Sequence, residues 1–459
     1  MPVAPADATR LQFDHRAVGH GVGRIDLGHV ERFAVLAEDC CAHTAEPTGV
    51  LAIVVRPESA FELPLFNTGG KVLFDGSTVK SMSFQLSDEQ EAIRSAVREF
   101  AEEEIAPVAR EHDESGEYPA DLRREAAEYD FVAPNIPTEY GGAGMDTLSS
   151  ALVTEELWRA DPGIGSAVGS AGFGSSMIVE YGDEWMKEEW LPPIVAGESA
   201  SASAISEPAH GSNVAGIETR AEKDGDEYVL NGNKMWITNG TVADIAVVMT
   251  KTDPGAGHQG ITAFLVPTDT EGFSTETIDN KLGIRASDLA EVLLDDVRVP
   301  EKNVVGEVNQ GFYQLMDFFA AGRTSVAAQA VGAAQGALDA AREYAGEREQ
   351  FDQPIAEFQA IRHKLAEMAT NADAARSLTY RAATHVEAGD DNAVRFASMA
   401  KLFASEHAVD VADEAIQVFG GAGYVTDHPA ERYYRDARIT KIYEGTSEIQ
   451  KNIIADRLL

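Results

Sequence analysis

The hydrophobic pattern of this chain changes period twice along its length, which limits the fold to a helix–sheet–helix order. From residue 82 to about 200, apolar residues such as Ile93, Val97 and Phe100 recur at helical spacing with charges between them. Ser87-Asp88-Glu89-Gln90 has the form of a capping box, with Ser at the cap and Gln three residues on. Residues 147–160 read as a second helical block, and Pro and Gly clusters at 134–137 and 140–144 separate the helices. From about 201 to 300 short apolar runs take over: Tyr228-Val229-Leu230 before Asn231-Gly232, 235–238 before Asn239-Gly240, 245–249 and 261–266. Such runs, bounded by Gly, Asn and Pro, predict a small antiparallel sheet or barrel with a hairpin turn at Asn231-Gly232. From about 311 long helices return. Ile361, Leu365, Met368, Ala372 and Ala375 form the seam of a left-handed bundle, and the helix ending at Phe419 stops at Gly420-Gly421. The expected fold class is α+β: a helical domain over 82–200, an antiparallel β domain over 201–310 and a helical bundle over 311–459.

Residues 1–81 stand apart. They carry no sustained period, and their ten acids and seven bases nearly balance. Both cysteines, the adjacent Cys40 and Cys41, and four histidines including His15 and His20 lie there. The segment is expected to be an N-terminal extension outside the working unit. Adjacent cysteines are poorly placed for an ordinary disulfide, and the histidines lack ligand partners at zinc spacing, so no metal site is expected. Gly19-His20-Gly21-Val22-Gly23 has neither a leading strand nor a capped helix after it, and is not a dinucleotide fingerprint.

Charge narrows the function. The formal net charge of −39 repels nucleic acid and anionic membranes. Only twelve of the 37 bases are Lys. That balance fits a salt-loaded cytoplasm, where screening relieves self-repulsion. No apolar run is long enough to span a membrane, and residues 1–30 have no apolar signal core, so a cytoplasmic location is expected.

Three strings carry the chemistry. The first is Ile442-Tyr443-Glu444-Gly445-Thr446-Ser447-Glu448-Ile449-Gln450, which puts a carboxylate on a turn before a helix, with Ser447 and Gln450 at capping-box spacing. Alone, such a Glu is usually a helix-dipole partner. The second is Ala204-Ile205-Ser206-Glu207-Pro208-Ala209-His210-Gly211-Ser212-Asn213, a loop of small and hydroxyl residues. The third is Lys234-Met235-Trp236-Ile237-Thr238-Asn239-Gly240; a lone strand Trp is usually core, but an indole also offers a flat face to a ring system. Glu155-Glu156 reads as a solvated helix face.

Together, in this order, the strings resemble the acyl-CoA dehydrogenase family of flavoenzymes over residues 82–459, and the acidic composition resembles its haloarchaeal short- and medium-chain members. The resemblance implies FAD as cofactor and α,β-dehydrogenation of an acyl-CoA to a trans-2-enoyl-CoA, as in β-oxidation. Glu444 is then the base that removes the α-proton. Ile205, Ser206, Ser212, Trp236, Ile237 and Thr238 are implied to hold the flavin, joined by Thr446 and Glu448. Arg348, Gln350, Phe351 and Gln359, with Gln417, Gly420 and Gly421, match segments that meet the FAD of a neighbouring subunit. Ser212, Arg323, Glu444 and Gly445 are implied at the substrate. Asn213 stands where the family has Asp, His210 where it has a small residue, and Asp352 where it has Gly. Gly322 occupies about the position at which isovaleryl-type relatives carry their catalytic Glu. A four-helix bundle as the last block, a homotetramer, and electron-transfer flavoprotein as acceptor follow from the same resemblance. Acyl-CoA oxidases share the fold and pass electrons to oxygen instead. Nitroalkane oxidases carry Asp at the base position, and the DNA-binding relatives need a basic surface that this chain lacks.

Overall fold

The computed structural model describes residues 85–459, so the extension expected over 1–81, with its cysteines and histidines, lies outside the described residues. Seven helices come first: α1 (Asp88–Phe100), α2 (Ala109–Ser115), α3 (Ala120–Ala127), α4 (Thr147–Ala160), α5 (Pro162–Gly169), α6 (Ser175–Tyr181) and α7 (Glu184–Val195). The Ser87 capping box forms as its sequence predicts, with Ser87 and Gln90 exchanging side-chain and backbone bonds.

Seven strands follow as one curled sheet: β1 (Ser201–Ala204), β2 (Arg220–Asp224), β3 (Glu227–Thr238), β4 (Ile245–Lys251), β5 (Ile261–Pro267), β6 (Phe273–Thr277) and β7 (Leu289–Pro300). The pairings are antiparallel, except that β1 and β2 each run parallel to β4. The apolar runs of β4 and β5 have a packing cause. Ile245, Val247 and Met249 face the core shared with the first helices, while Ala246 and Val248 face the core inside the sheet. Both faces are covered, so the strand is apolar at nearly every position.

Asn231-Gly232 does not turn the chain, contrary to the hairpin expected there. β3 runs straight through it with a register shift against β7. Gly232 is required by a close approach instead: a Cβ there would lie 2.4 Å from Thr219 Oγ1. Asn231 is engaged across the sheet, exchanging two bonds with Asp296. The β2–β3 turn lies at Gly225-Asp226, between the paired Asp224 and Glu227.

The last block is built from α8 (Gly311–Glu347), α9 (Gln359–Glu387) and α10 (Ala393–Phe419), on which the short α11 (Ala430–Ala437) and α12 (Ser447–Asp456) pack; the hairpin β8 (Glu349–Gln350)–β9 (Gln353–Pro354) joins α8 to α9. Its core is largely alanine, with Ala327, Ala330, Ala334, Ala337, Ala341 and Ala345 along one stripe of α8. Small side chains let the helix backbones come close. α4 presses on α8 where a Cβ at Gly332 or Gly336 would meet its backbone carbonyls at 2.3 Å.

That approach overturns the solvated face expected for Glu155 and Glu156. Both are 2% exposed. Glu155 accepts from Arg376 Nε (2.7 Å) and Tyr380 (2.9 Å), and Glu156 from Arg98 (2.6 Å) and Arg159. Two acids on a helix are buried here because arginines on the neighbouring helices meet them. Glu155→Ala removes the buried partner of Arg376 and is expected to cost about 3–5 kcal/mol. Chemical denaturation should show a lower midpoint; an unchanged midpoint would contradict this account of α4.

Candidate active site

Glu444 sits on a turn in left-handed conformation (φ 54°), followed by Gly445 (φ 87°). Its side chain reaches α8 at Gly322, where an added Cβ would lie 2.7 Å from Glu444 Oε2. Oε2 is enclosed and has no hydrogen-bond partner among the described residues. Burial pushes the Glu444 carboxyl up to about 7, against the opposing pull of the Arg323 and Lys401 cations. Arg323, next to Gly322, is buried; its Nε is likewise unpartnered, and its guanidinium lies 5.7 Å from the Phe319 ring centre. Burial holds its pKa below the ordinary arginine value. The Glu444 backbone N–H makes no hydrogen bond among the described residues.

The cap of α12 differs from the one expected. Thr446, not Ser447, is the N-cap and accepts from Ile449 N (3.4 Å). Ser447 is buried and donates to Glu406 (2.7 Å), while Gln450 turns back to donate to the carbonyls of Glu444 (3.1 Å) and Gly445 (2.8 Å). The left-handed turn shifts the helix start by one residue and leaves Gln450 to satisfy the turn's carbonyls. Glu448 is exposed in the first turn, where backbone N–H groups and Thr446 hold its carboxyl below the usual range.

The second and third strings lie side by side. Met235 N donates to Ser206 O (2.9 Å), and Lys234 Nζ donates to Ile205 O (3.0 Å) and Glu207 Oε1 (2.9 Å). Lys234 is fully buried. Glu207 also accepts from Glu218 N, Thr219 N and Thr219 Oγ1. Burial lowers Lys234 to about 8, opposed by Glu207. A bulge in β3 between Lys234 and Ile237 then throws the Trp236 indole outward: its φ is 64° and it is 58% exposed, while Ile237 is buried. The hydroxyls of Ser206 and Thr238 make no hydrogen bond among the described residues. Ser212 is exposed in the same loop. An open indole flanked by free hydroxyls fits a flavin ring system. The segment before α6 links β1 to the helix that meets Glu444. Ser201 Oγ bonds Phe173 O (3.1 Å), Phe173 packs edge-on against Phe318 (5.5 Å), and Phe318 lies one helical turn before Gly322 on α8.

The other predicted residues gather elsewhere. Arg348, Gln350 and Phe351 lie on or beside the β8–β9 hairpin, with Phe351 87% exposed, and Gln359 opens α9. Gln417, Gly420 and Gly421 end α10, and Tyr344 stacking on Phe419 (4.2 Å) brings the ends of α8 and α10 together. From Lys401 to Gly420 is roughly 28 Å along α10 at 1.5 Å per residue. Within one chain this group is therefore remote from Glu444.

Sequence reasoning missed Lys401, Gln450, Lys234 and Glu207 as site-forming residues. Lys401 had a signal: Ala397, Lys401, Ala404 and Ala408 follow the buried stripe of α10, an unusual place for a lysine.

An enclosed carboxylate tuned towards neutrality, and an open indole beside unbonded hydroxyls on a separate strand, fit a flavin-dependent oxidoreductase. The chain belongs to the acyl-CoA dehydrogenase family, matching its N-terminal domain over residues 87–198, its middle domain over 202–297 and its C-terminal domain over 309–459. Members of that family are FAD-dependent flavoproteins. The chain is 41% identical to the 3-(aryl)acrylate reductase of Clostridium sporogenes, covering 81% of this chain and 99% of the relative. It is also 41% identical to the mitochondrial short-chain specific acyl-CoA dehydrogenase of Rattus norvegicus, over 82% of this chain and 92% of the relative. The structure of butyryl-CoA dehydrogenase from Megasphaera elsdenii matches with a TM-score of 0.79 at 39% identity, covering 82% of this chain and all of that one.

Gly322→Ala should displace the Glu444 carboxylate while leaving the Trp236 edge intact. Turnover is expected to fall by roughly 10²-fold with flavin content unchanged. Steady-state assay of the flavin-replete variant checks this, and wild-type turnover would show that the carboxylate does not depend on the bare helix surface.

Proposed function

We propose that this protein is an acyl-CoA dehydrogenase in which Glu444 removes the α-proton of an acyl-CoA thioester, giving the trans-2-enoyl-CoA. The observation that carries this reading is the enclosed, unpartnered Glu444 Oε2 against Gly322. An α-proton beside a thioester is weakly acidic, and an ordinary carboxylate is a poor base for it. A base with a pKa near 7 is better matched, and remains ionised in a useful fraction at neutral pH. The free Glu444 N–H can donate to the thioester oxygen as enolate charge develops there. FAD, when bound, supplies the acceptor for the hydride that leaves the β-carbon. Trp236, Ile237 and Thr238, with Ile205, Ser206 and Ser212, would hold its ring end, and Thr446 and Glu448 would adjoin it. Arg323 and Gly445 would adjoin the substrate.

The remote group of Arg348, Gln350, Phe351, Gln359, Gln417, Gly420 and Gly421 would serve the FAD of a neighbouring copy, in a homotetramer. Its distance from Glu444 within one chain supports that assignment. Electron-transfer flavoprotein would accept the electrons, and β-oxidation in a salt-rich cytoplasm would be the setting. The net charge of −39 supports the last point. No described helix is long and apolar enough to cross a membrane.

Anaerobic titration of the FAD-replete protein in high salt with a panel of acyl-CoAs should bleach the flavin with one acyl class. Glu444→Gln should keep the flavin and slow bleaching on the order of 10²–10⁴-fold. Bleaching by no acyl-CoA would contradict the proposal. Fast reoxidation by oxygen after bleaching would make the protein an acyl-CoA oxidase.

A further inference from the structure

Lys401 is a fully buried lysine on α10. Its ammonium has three donors and makes one hydrogen bond among the described residues, to Gly445 O at 2.7 Å. Gln450 Nε2 reaches the same carbonyl at 2.8 Å and the Glu444 carbonyl at 3.1 Å. Two side chains from two helices therefore converge on the residue after the base. They hold a pair of consecutive left-handed residues, one of them a Glu, in a conformation that costs energy for a non-glycine. We propose that Lys401 is a positioning residue for Glu444: it anchors the Gly445 carbonyl and brings an ammonium charge to bear on the carboxylate of the preceding residue. The proposal rests on Glu444 being the base.

Burying a lysine without an ion-pair partner in contact is costly, so a purely structural role is poorly served by this residue type. A methionine or leucine would fill the same stripe of α10 without that cost. The charge has an electrostatic object. Glu444 is raised by burial, and the Arg323 and Lys401 cations oppose that rise. Lys401 is itself lowered to about 8 by burial, with Glu444, Glu406 and Glu448 pulling it up and Arg323 pushing it down. Glu406 is engaged by Lys441 and Ser447, and Glu448 is exposed on α12. Tyr443, on the turn itself, donates to Gln329 (2.5 Å) and is held above the usual phenol range by burial. Arg323 and Lys401 are thus the two cations that act on the base, and only Lys401 also holds its backbone.

Two variants separate the two roles. Lys401→Met removes both charge and donor; Lys401→Gln removes the charge and keeps a donor for Gly445 O. Difference infrared titration against Glu444→Gln reads the ionisation of Glu444 directly, with no substrate needed. Both variants should shift its midpoint upward by about one pH unit or more. Above that midpoint, Lys401→Gln should recover more of the flavin-reduction rate than Lys401→Met. An unchanged midpoint in both variants would overturn the electrostatic role. Equal rates for the two variants on the alkaline plateau would overturn the anchoring role. Loss of fold or flavin in both would reduce Lys401 to a packing residue. A wild-type flavin that no acyl-CoA bleaches would instead overturn the proposed function, while the infrared midpoints would still report on Lys401.

Discussion

A carboxylate lying against the bare backbone of a long helix is the contact on which the rest of the site depends. Gly322 leaves α8 without a side chain where Glu444 arrives, and any Cβ there would meet Oε2 at 2.7 Å. That space allows the carboxylate to be buried, and burial gives it a pKa near that of a neutral solution. The turn that delivers it is left-handed at two successive residues and is held by donors from α10 and α12. α8 itself is located by its neighbours: α4 docks closely at Gly332 and Gly336, and the N-terminal part of α8 packs into the core shared with the sheet. The position of one oxygen atom is thus coupled to contacts with several separate elements.

The edge that carries Trp236 is built by a different device. A buried Lys234–Glu207 pair lies beneath it, with Lys234 also bonded to the carbonyl of Ile205. An ion pair in that setting is satisfied only because Glu207 accepts three further bonds from Glu218 and Thr219. The bulge that follows turns Trp236 to the outside while Lys234 and Ile237 stay buried. Polar burial under the strand and aromatic exposure above it are two sides of one local arrangement.

Much of this was legible in the sequence. The two changes of period give the domain order, because burial of one helix face or of both sheet faces leaves a distinct apolar spacing. The Ser87 cap and the end of α10 at Gly420 follow local rules that the surrounding structure leaves intact. Asn231-Gly232 misleads because the glycine answers a close approach by Thr219, a contact between separate segments that spacing does not encode. Glu155 and Glu156 mislead for the same reason: their arginine partners lie on other helices. The α12 cap moves by one residue because the preceding turn is left-handed. The three strings together singled out Glu444, and the resemblance they carry singled out Gly322 and Arg323, but the convergence of Lys401 and Gln450 on the carbonyls of that turn joins separate elements and needed the fold.

The central claim is that Glu444 takes the α-proton. Its most direct test is deuterium uptake from D₂O into an acyl-CoA whose β-carbon carries no hydrogen, so that no hydride can leave. With the flavin-replete wild type, mass spectrometry should show exchange at the α-carbon, rising as pH passes through about 7 while the raised carboxyl ionises. Glu444→Gln should show none above the solution background. Equal exchange in the two proteins would place the base elsewhere and contradict the account.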